Sequence, residues 1–170
     1  VNGADQVNYV TLNLIEKCNL RCVMCDIPDG FAYDTMPFER VALVAEALLP
    51  GCRHLTLNGF VGEPLLHPDF VRVLDYIERR WPQVSAMLAT NATPLKGARM
   101  EAILTSRILR ELRISVNAVR EDTYNAIMVR ARWDRTMANI REFMRQRRER
   151  GVASRLAAVF SFVAMRQNID

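Results

Sequence analysis

Three cysteines stand within one short stretch, Cys18-Asn19-Leu20-Arg21-Cys22-Val23-Met24-Cys25, directly after an apolar-alternating run from Tyr9 to Ile15. Converging thiolates are soft ligands that suit an iron–sulfur cluster or zinc. A closed structural zinc site takes four ligands and a cube of four irons has four corners, so three cysteines leave one position open. On a cluster, that open iron can take an exchangeable ligand with nitrogen and oxygen donors, which points to chemistry and away from a structural staple. Two readings compete. One is a zinc site that recruits Cys52, His54 or His67 as its fourth ligand, and the other is a set of buried or disulfide-bonded cysteines.

Further residues of chemical interest fall at comparable places. Gly62-Glu63-Pro64 follows a second strand-like run, His54 to Asn58. A glycine there permits close backbone approach to a ligand, and the proline fixes the chain direction after it. Thr90-Asn91-Ala92-Thr93-Pro94 closes a third run that begins at Ser85, and Ser115 and Asn117 end a fourth from Leu112 to Asn117. In parallel α/β folds ligands bind beyond the C-terminal ends of the strands, where all of these motifs are expected.

The elements that must position these residues alternate from end to end. Val41, Val44, Ala45 and Leu48 recur at helical spacing after Thr35, a candidate N-cap, and Pro37, with Pro50-Gly51 as the stop. Phe70, Val73, Leu74 and Ile77 share one face of the next helix, which Pro68-Asp69 opens and Trp81-Pro82 closes, and a third helix is expected from about Lys96 to Ser106. A long helix then carries Trp133, Met137, Ile140 and Met144 on one side until Gly151, and a fifth strand is expected from Leu156 to about Met165. Such alternation predicts an α/β fold with a parallel sheet. In the first, second and fourth strands aliphatic residues alternate with Thr11, Asn13, Thr56, Asn58, Ser115 and Asn117. One sheet face should therefore pack on helices while the other lines a polar ligand cavity, because a packed barrel centre would be bulky and branched; the alternative is an open two-layer sheet with one wet face.

The cysteine spacing, the Asn19-Leu20 pair, Met24 before the last cysteine and the preceding strand together resemble the radical S-adenosylmethionine (radical SAM) family. Gly62-Glu63-Pro64 resembles that family's Gly-Gly-Glu-Pro, with Val61 in place of the first glycine. Thr90 to Thr93 is similar to its T-N-G-T, with Ala92 replacing glycine. The likeness continues through Pro64 to Phe70, Ile114 to Asn117, Thr123-Tyr124 and Val163 to Ile169, and covers nearly the whole chain. It implies a partial parallel (β/α) barrel with about five βα units, residues 1–170 forming one core domain whose sixth strand is missing or lies beyond Asp170. Cys18, Cys22 and Cys25 would hold three irons of a [4Fe–4S] cluster, the fourth being chelated by the amino and carboxylate groups of S-adenosylmethionine. Glu63, framed by Gly62 and Pro64, is expected at the cofactor's amino group, Ser115 and Asn117 at its ribose and carboxylate, and Met24 and Phe60 against the adenosine or shielding the radical. Arg166, at the end of the fifth strand, could face the carboxylate as well, but a solvated side chain is the expectation. An electron from a flavodoxin or ferredoxin would cleave the cofactor's carbon–sulfur bond, and the resulting 5′-deoxyadenosyl radical would abstract hydrogen from a peptide, protein or small metabolite. The pattern most resembles members that often carry a C-terminal SPASM extension for auxiliary clusters. Against this stand a non-catalytic zinc-binding module and an inactive truncated fragment.

Composition sets the outer bounds. With 170 residues, half of them hydrophobic, the chain can bury one ordinary core. It has neither the ~20-residue apolar run of a membrane helix nor a basic-then-apolar leader, and is expected to be soluble and cytoplasmic. Four cysteines, three of them clustered, fit a metal site in a reducing compartment better than a disulfide framework. Cys52 is expected in the core, and His54 and His67 as surface or capping residues. The net charge of +4 is modest, and the arginine-dense segment from Arg141 to Arg155 is expected to be a solvated helix face and not a nucleic-acid platform.

Overall fold

The computed structural model describes residues 7–25, 34–58 and 61–169. Phe60, expected against the adenosine, lies outside the described residues. Five parallel strands form one sheet in chain order: β1 (Tyr9–Thr11), β2 (His54–Thr56), β3 (Ser85–Thr90), β4 (Leu109–Ser115) and β5 (Ala157–Ser161). The intervening helices are α1 (Phe38–Leu48), α2 (Phe70–Arg80), α3 (Gly97–Thr105), α4 (Glu121–Ile127) and α5 (Trp133–Glu149). Parallel strands laid down in sequence order require every crossover to turn the same, right-handed way, so the helices cover one sheet face and leave the other for a cavity. This is the wall of an open, partial barrel.

The covered face is a single core. Leu55, Leu88, Leu112 and Ile114 from the strands meet Val41 and Ala45 of α1, Ile103 and Leu104 of α3, and Ile140 and Phe143 of α5, all buried. The expected face of α2, Phe70, Val73, Leu74 and Ile77, is buried in full. Each such large side chain contributes roughly 1.5–3 kcal/mol through removal from water. A smaller cluster of Leu20, Ala118, Tyr124, Ile127 and Met128 lies beneath the cysteine loop.

Five local expectations change. The β1 ladder stops at Thr11, because residues 14–16 swing away to pair with 34–36 through an Ile15–Thr35 antiparallel bridge and Met36 N–H to Leu14 O at 2.9 Å. Thr35 is thus a bridge residue and not the α1 N-cap; Pro37 takes that position without a side-chain cap. Strand β4 begins at Leu109, three residues before the expected start, because a register shift against Ala86/Met87 interrupts the alternation that made only the later half recognisable. On α5 the fully buried residues are Thr136, Ile140 and Phe143, with Trp133, Met137 and Met144 half-buried on the flank. The arginine segment is also not uniformly solvated: Arg155 donates to Leu104 O and Ser106 O at the end of α3, where a cation opposes the helix dipole, and Arg147 donates to Leu156 O.

Candidate functional site

The cysteine loop has two anchors, one apolar and one polar. Leu20 is buried among Tyr124, Ile127 and Met128, while Arg21 N–H and Val23 N–H donate to Val129 O and Ile127 O at 2.9 and 3.0 Å. The loop is therefore fastened to the end of α4, a short helix that sequence periodicity did not separate from α5. Asn19 turns the other way and donates to Thr93 Oγ1 at 2.5 Å, while its Oδ1 accepts from Asn91 Nδ2 at 3.1 Å. The Asn19-Leu20 pair thus joins the loop to both its supports.

Gly62 has a conformational reason to be glycine. Its φ is +100°, and a Cβ would lie 2.0 Å from Ile15 O, where the exit of β1 crosses. The close approach seen here is to the protein's own backbone, at a residue that also lines the cavity described below. Glu63 N–H then donates to Lys17 O at 3.0 Å.

Glu63 itself is 1% exposed. Its Oε1 accepts from Thr90 Oγ1 at 2.7 Å and Leu65 N–H at 3.1 Å, and Oε2 accepts from Asn91 N–H at 2.7 Å. These three donors hold the carboxylate in place, yet burial outweighs them and pushes its pKa up to about 7. All three are neutral, and no cation among the described residues contributes to its electrostatics.

The carboxylate and the thiols share one cavity of about 500 Å³. Cys18, Cys22, Cys25, Met24, Gly62, Glu63, Pro64, Ser115 and Asn117 all line it. Asn117 is engaged within the protein: Oδ1 accepts from Val163 N–H at 2.9 Å, and Nδ2 contacts Met128 Sδ at 3.1 Å. Of the polar face expected from alternation, Asn58, Ser115 and Asn117 reach this cavity; Thr11 is exposed, Thr56 bonds Tyr9 Oη, and Asn13 lines a separate groove beside residues 34–37 because β1 ends early. Thr90, Asn91 and Met128 also line it. The T-N-A-T motif was visible in the sequence, but its role in holding Glu63 was not; nothing in the sequence distinguished Met128 from a core methionine. Arg166 is exposed. A larger groove of about 710 Å³ between α2 and α3 contains no thiol, so chemistry and not volume selects the site.

The donor set fits a multi-iron cluster. Cys18 and Cys22 are half-buried, and Cys25 is exposed. Burial raises both the Cys18 and Cys22 pKa values, Cys22 to about 11 with added repulsion from Cys18 and Cys25, so metal binding must displace protons. Among the described residues, no three His, Cys, Asp or Glu side chains converge to hold one ion. A cube of irons gives each thiolate its own iron, whereas zinc requires its ligands around one point. Nor, among the described residues, do the candidate fourth zinc ligands approach. Cys52 is buried at the opposite end of β2, donating to His54 O at 3.1 Å, and His54 is exposed. His67 is buried: Nδ1 accepts from Asp69 N–H at 3.1 Å before α2, which leaves Nε2 to donate to Met36 O at 2.8 Å. His67 is thus a capping residue inside the fold.

Comparison with known proteins identifies the family. The model of the Radical SAM superfamily matches residues 12–159. A GTP 3′,8-cyclase of Microcystis aeruginosa is 32% identical over 151 residues, covering 83% of this chain and 45% of that protein. One from Nostoc punctiforme is 31% identical, covering 80% and 43%. The chain therefore spans less than half the length of these curated relatives. Among solved structures, Streptococcus suis SuiB bound to S-adenosylmethionine aligns with a TM-score of 0.60 at 20% identity, covering 81% of this chain and 30% of that one. The anSMEcpe structure with bound AdoMet and a Kp18Cys peptide aligns at 0.65 and 15%, covering 91% and 42%. At those identities the likeness is one of fold.

Proposed function

The chain belongs to the radical SAM superfamily, and from that premise we propose that residues 1–170 form the cofactor-binding core of a radical SAM enzyme. Enzymes of this family use a [4Fe–4S] cluster and S-adenosylmethionine. Here Cys18, Cys22 and Cys25 would hold the cluster, leaving one iron open to S-adenosylmethionine. When bound, the pair supplies one-electron cleavage of the sulfonium to methionine and a 5′-deoxyadenosyl radical, which takes a hydrogen atom from substrate.

The observation that carries this reading is Glu63, a buried carboxylate fixed by three neutral donors in the cavity that holds the three thiols. It accepts a hydrogen bond from the cofactor's amino group, and Gly62 and Pro64 fix its position. Ser115 and Asn117 border the ribose and carboxylate, and Met24 packs against the adenosine. A flavodoxin- or ferredoxin-type protein delivers the electron. The same stretch aligns with proteins named for GTP cyclisation and with an enzyme solved with a peptide. That breadth supports placing the choice among peptide, protein and small metabolite in residues other than these shared ones. Unpaired thiols at the site favour a reducing compartment, and the cytoplasm is the proposed location.

The test is anaerobic reconstitution followed by reduction with dithionite in the presence of S-adenosylmethionine. Release of 5′-deoxyadenosine and methionine, abolished in Cys18→Ala, Cys22→Ala and Cys25→Ala, is expected. A fully loaded wild-type chain that releases neither product counts against the reading.

A further inference from the structure

From the turn after β3, the Asn91 side chain reaches one of the three thiols, Cys18. We propose that the Asn91 carboxamide sets the reduction potential of the cluster, acting as the positioning residue that links the Cys18 thiolate to Glu63. The inference rests on the reading of this cavity as a cluster and S-adenosylmethionine site.

Asn91 uses its two kinds of N–H in two directions. Its backbone N–H donates to Glu63 Oε2 at 2.7 Å, while its side-chain Nδ2 lies 3.7 Å from Cys18 Sγ and 3.1 Å from Asn19 Oδ1. Given the larger radius of sulfur, 3.7 Å is a hydrogen-bonding separation. The orientation of the amide is fixed by its other end, where Oδ1 accepts from Thr93 N–H at 2.9 Å and from Thr93 Oγ1 at 2.7 Å. A flipped amide would set NH₂ against the Thr93 backbone donor, so Nδ2 must face Cys18 and Asn19. Asn19 Nδ2 closes the ring on Thr93 Oγ1. From α5, Asn139 Nδ2 donates to Ala92 O and Thr93 O at 3.1 and 2.9 Å, bracing a turn in which Ala92 sits at φ 60°.

The consequence is electrostatic. An N–H directed at a ligating sulfur stabilises the more negatively charged, reduced cluster and so raises its potential, one of the means by which proteins tune iron–sulfur centres. Leu20 N–H gives Cys18 a backbone donor at 3.4 Å that comes with the loop itself; Asn91 gives it one that a point substitution can remove. Because the contact to Glu63 is through backbone, that substitution leaves the cofactor-binding carboxylate with all three of its donors.

The experiment is a redox titration of reconstituted protein without S-adenosylmethionine, following the spin-resonance signal of the reduced cluster, alongside iron content and thermal unfolding. Asn91→Ala is expected to shift the midpoint to more negative potential at wild-type iron content. Asn91→Asp keeps the Thr93 hydrogen bonds but replaces the donor with negative charge, and should shift it further the same way. Thr93→Val, which breaks the ring yet leaves Nδ2 beside Cys18, should shift it least. If Asn91 only braces the turn, its variants will melt earlier but titrate at the wild-type potential, and the proposal fails. A wild-type chain that takes up no cluster overturns the functional reading and this inference with it.

Discussion

Replacing Glu63 with glutamine removes the charge from a group whose burial works against it. Its pKa is about 7 in the fold against an ordinary 4.5, because desolvation outweighs the hydrogen bonds from Asn91, Thr90 and Leu65. Between those two values the folded chain keeps a proton that the unfolded chain has lost. The contribution of Glu63 to stability is therefore greatest below pH 4.5 and is lost as pH rises to 7. The gap corresponds to roughly 3 kcal/mol across that interval. Glutamine does not titrate, so the difference in unfolding free energy between the ligand-free wild type and Glu63→Gln should change by about that amount between pH 4.5 and pH 8, moving against the wild type as pH rises. Any constant cost of setting an amide against these donors cancels in the comparison. Urea unfolding of both chains at several pH values measures it, and parallel pH profiles would refute the argument. The same charge should favour the cofactor: its loss removes a charge-assisted hydrogen bond of about 1.5–3 kcal/mol, at least a tenfold fall in S-adenosylmethionine affinity, with the cluster intact. Equal affinities would leave Glu63 a turn residue only.

Two further outcomes are expected. Gly62→Ala should destabilise the ligand-free chain by about 2–4 kcal/mol, since φ +100° and a Cβ 2.0 Å from Ile15 O cannot both be accommodated without moving the β1 exit; an unchanged denaturation midpoint would contradict this. Cys52→Ala should leave iron content at the wild-type level, because Cys52 lies in the core at the far end of β2, and a loss of iron would return a four-ligand site to consideration.

The parallel sheet was legible because the alternation is clean where it matters: Ser85–Thr90 is β3 without revision, and the face of α2 is as spaced. What the sequence concealed has physical causes. A register shift breaks the period of two at the start of β4, so its first three residues did not look like strand. The early departure of β1 depends on pairing with residues 34–36, a contact that no local pattern announces. The site shows the same division. Cysteine spacing and Gly62-Glu63-Pro64 carry their chemistry in residue type, whereas Asn19 and Asn91 acquire theirs only when folding brings together two turns 72 residues apart.

The central claim is that the three thiols hold irons and not one zinc. Anaerobic reconstitution with iron and sulfide, followed by metal and sulfide analysis, tests it most directly. A brown protein with about four irons per chain, lost when Cys18, Cys22 and Cys25 are changed to alanine, is the predicted result. A colourless protein that retains about one zinc per chain would contradict it.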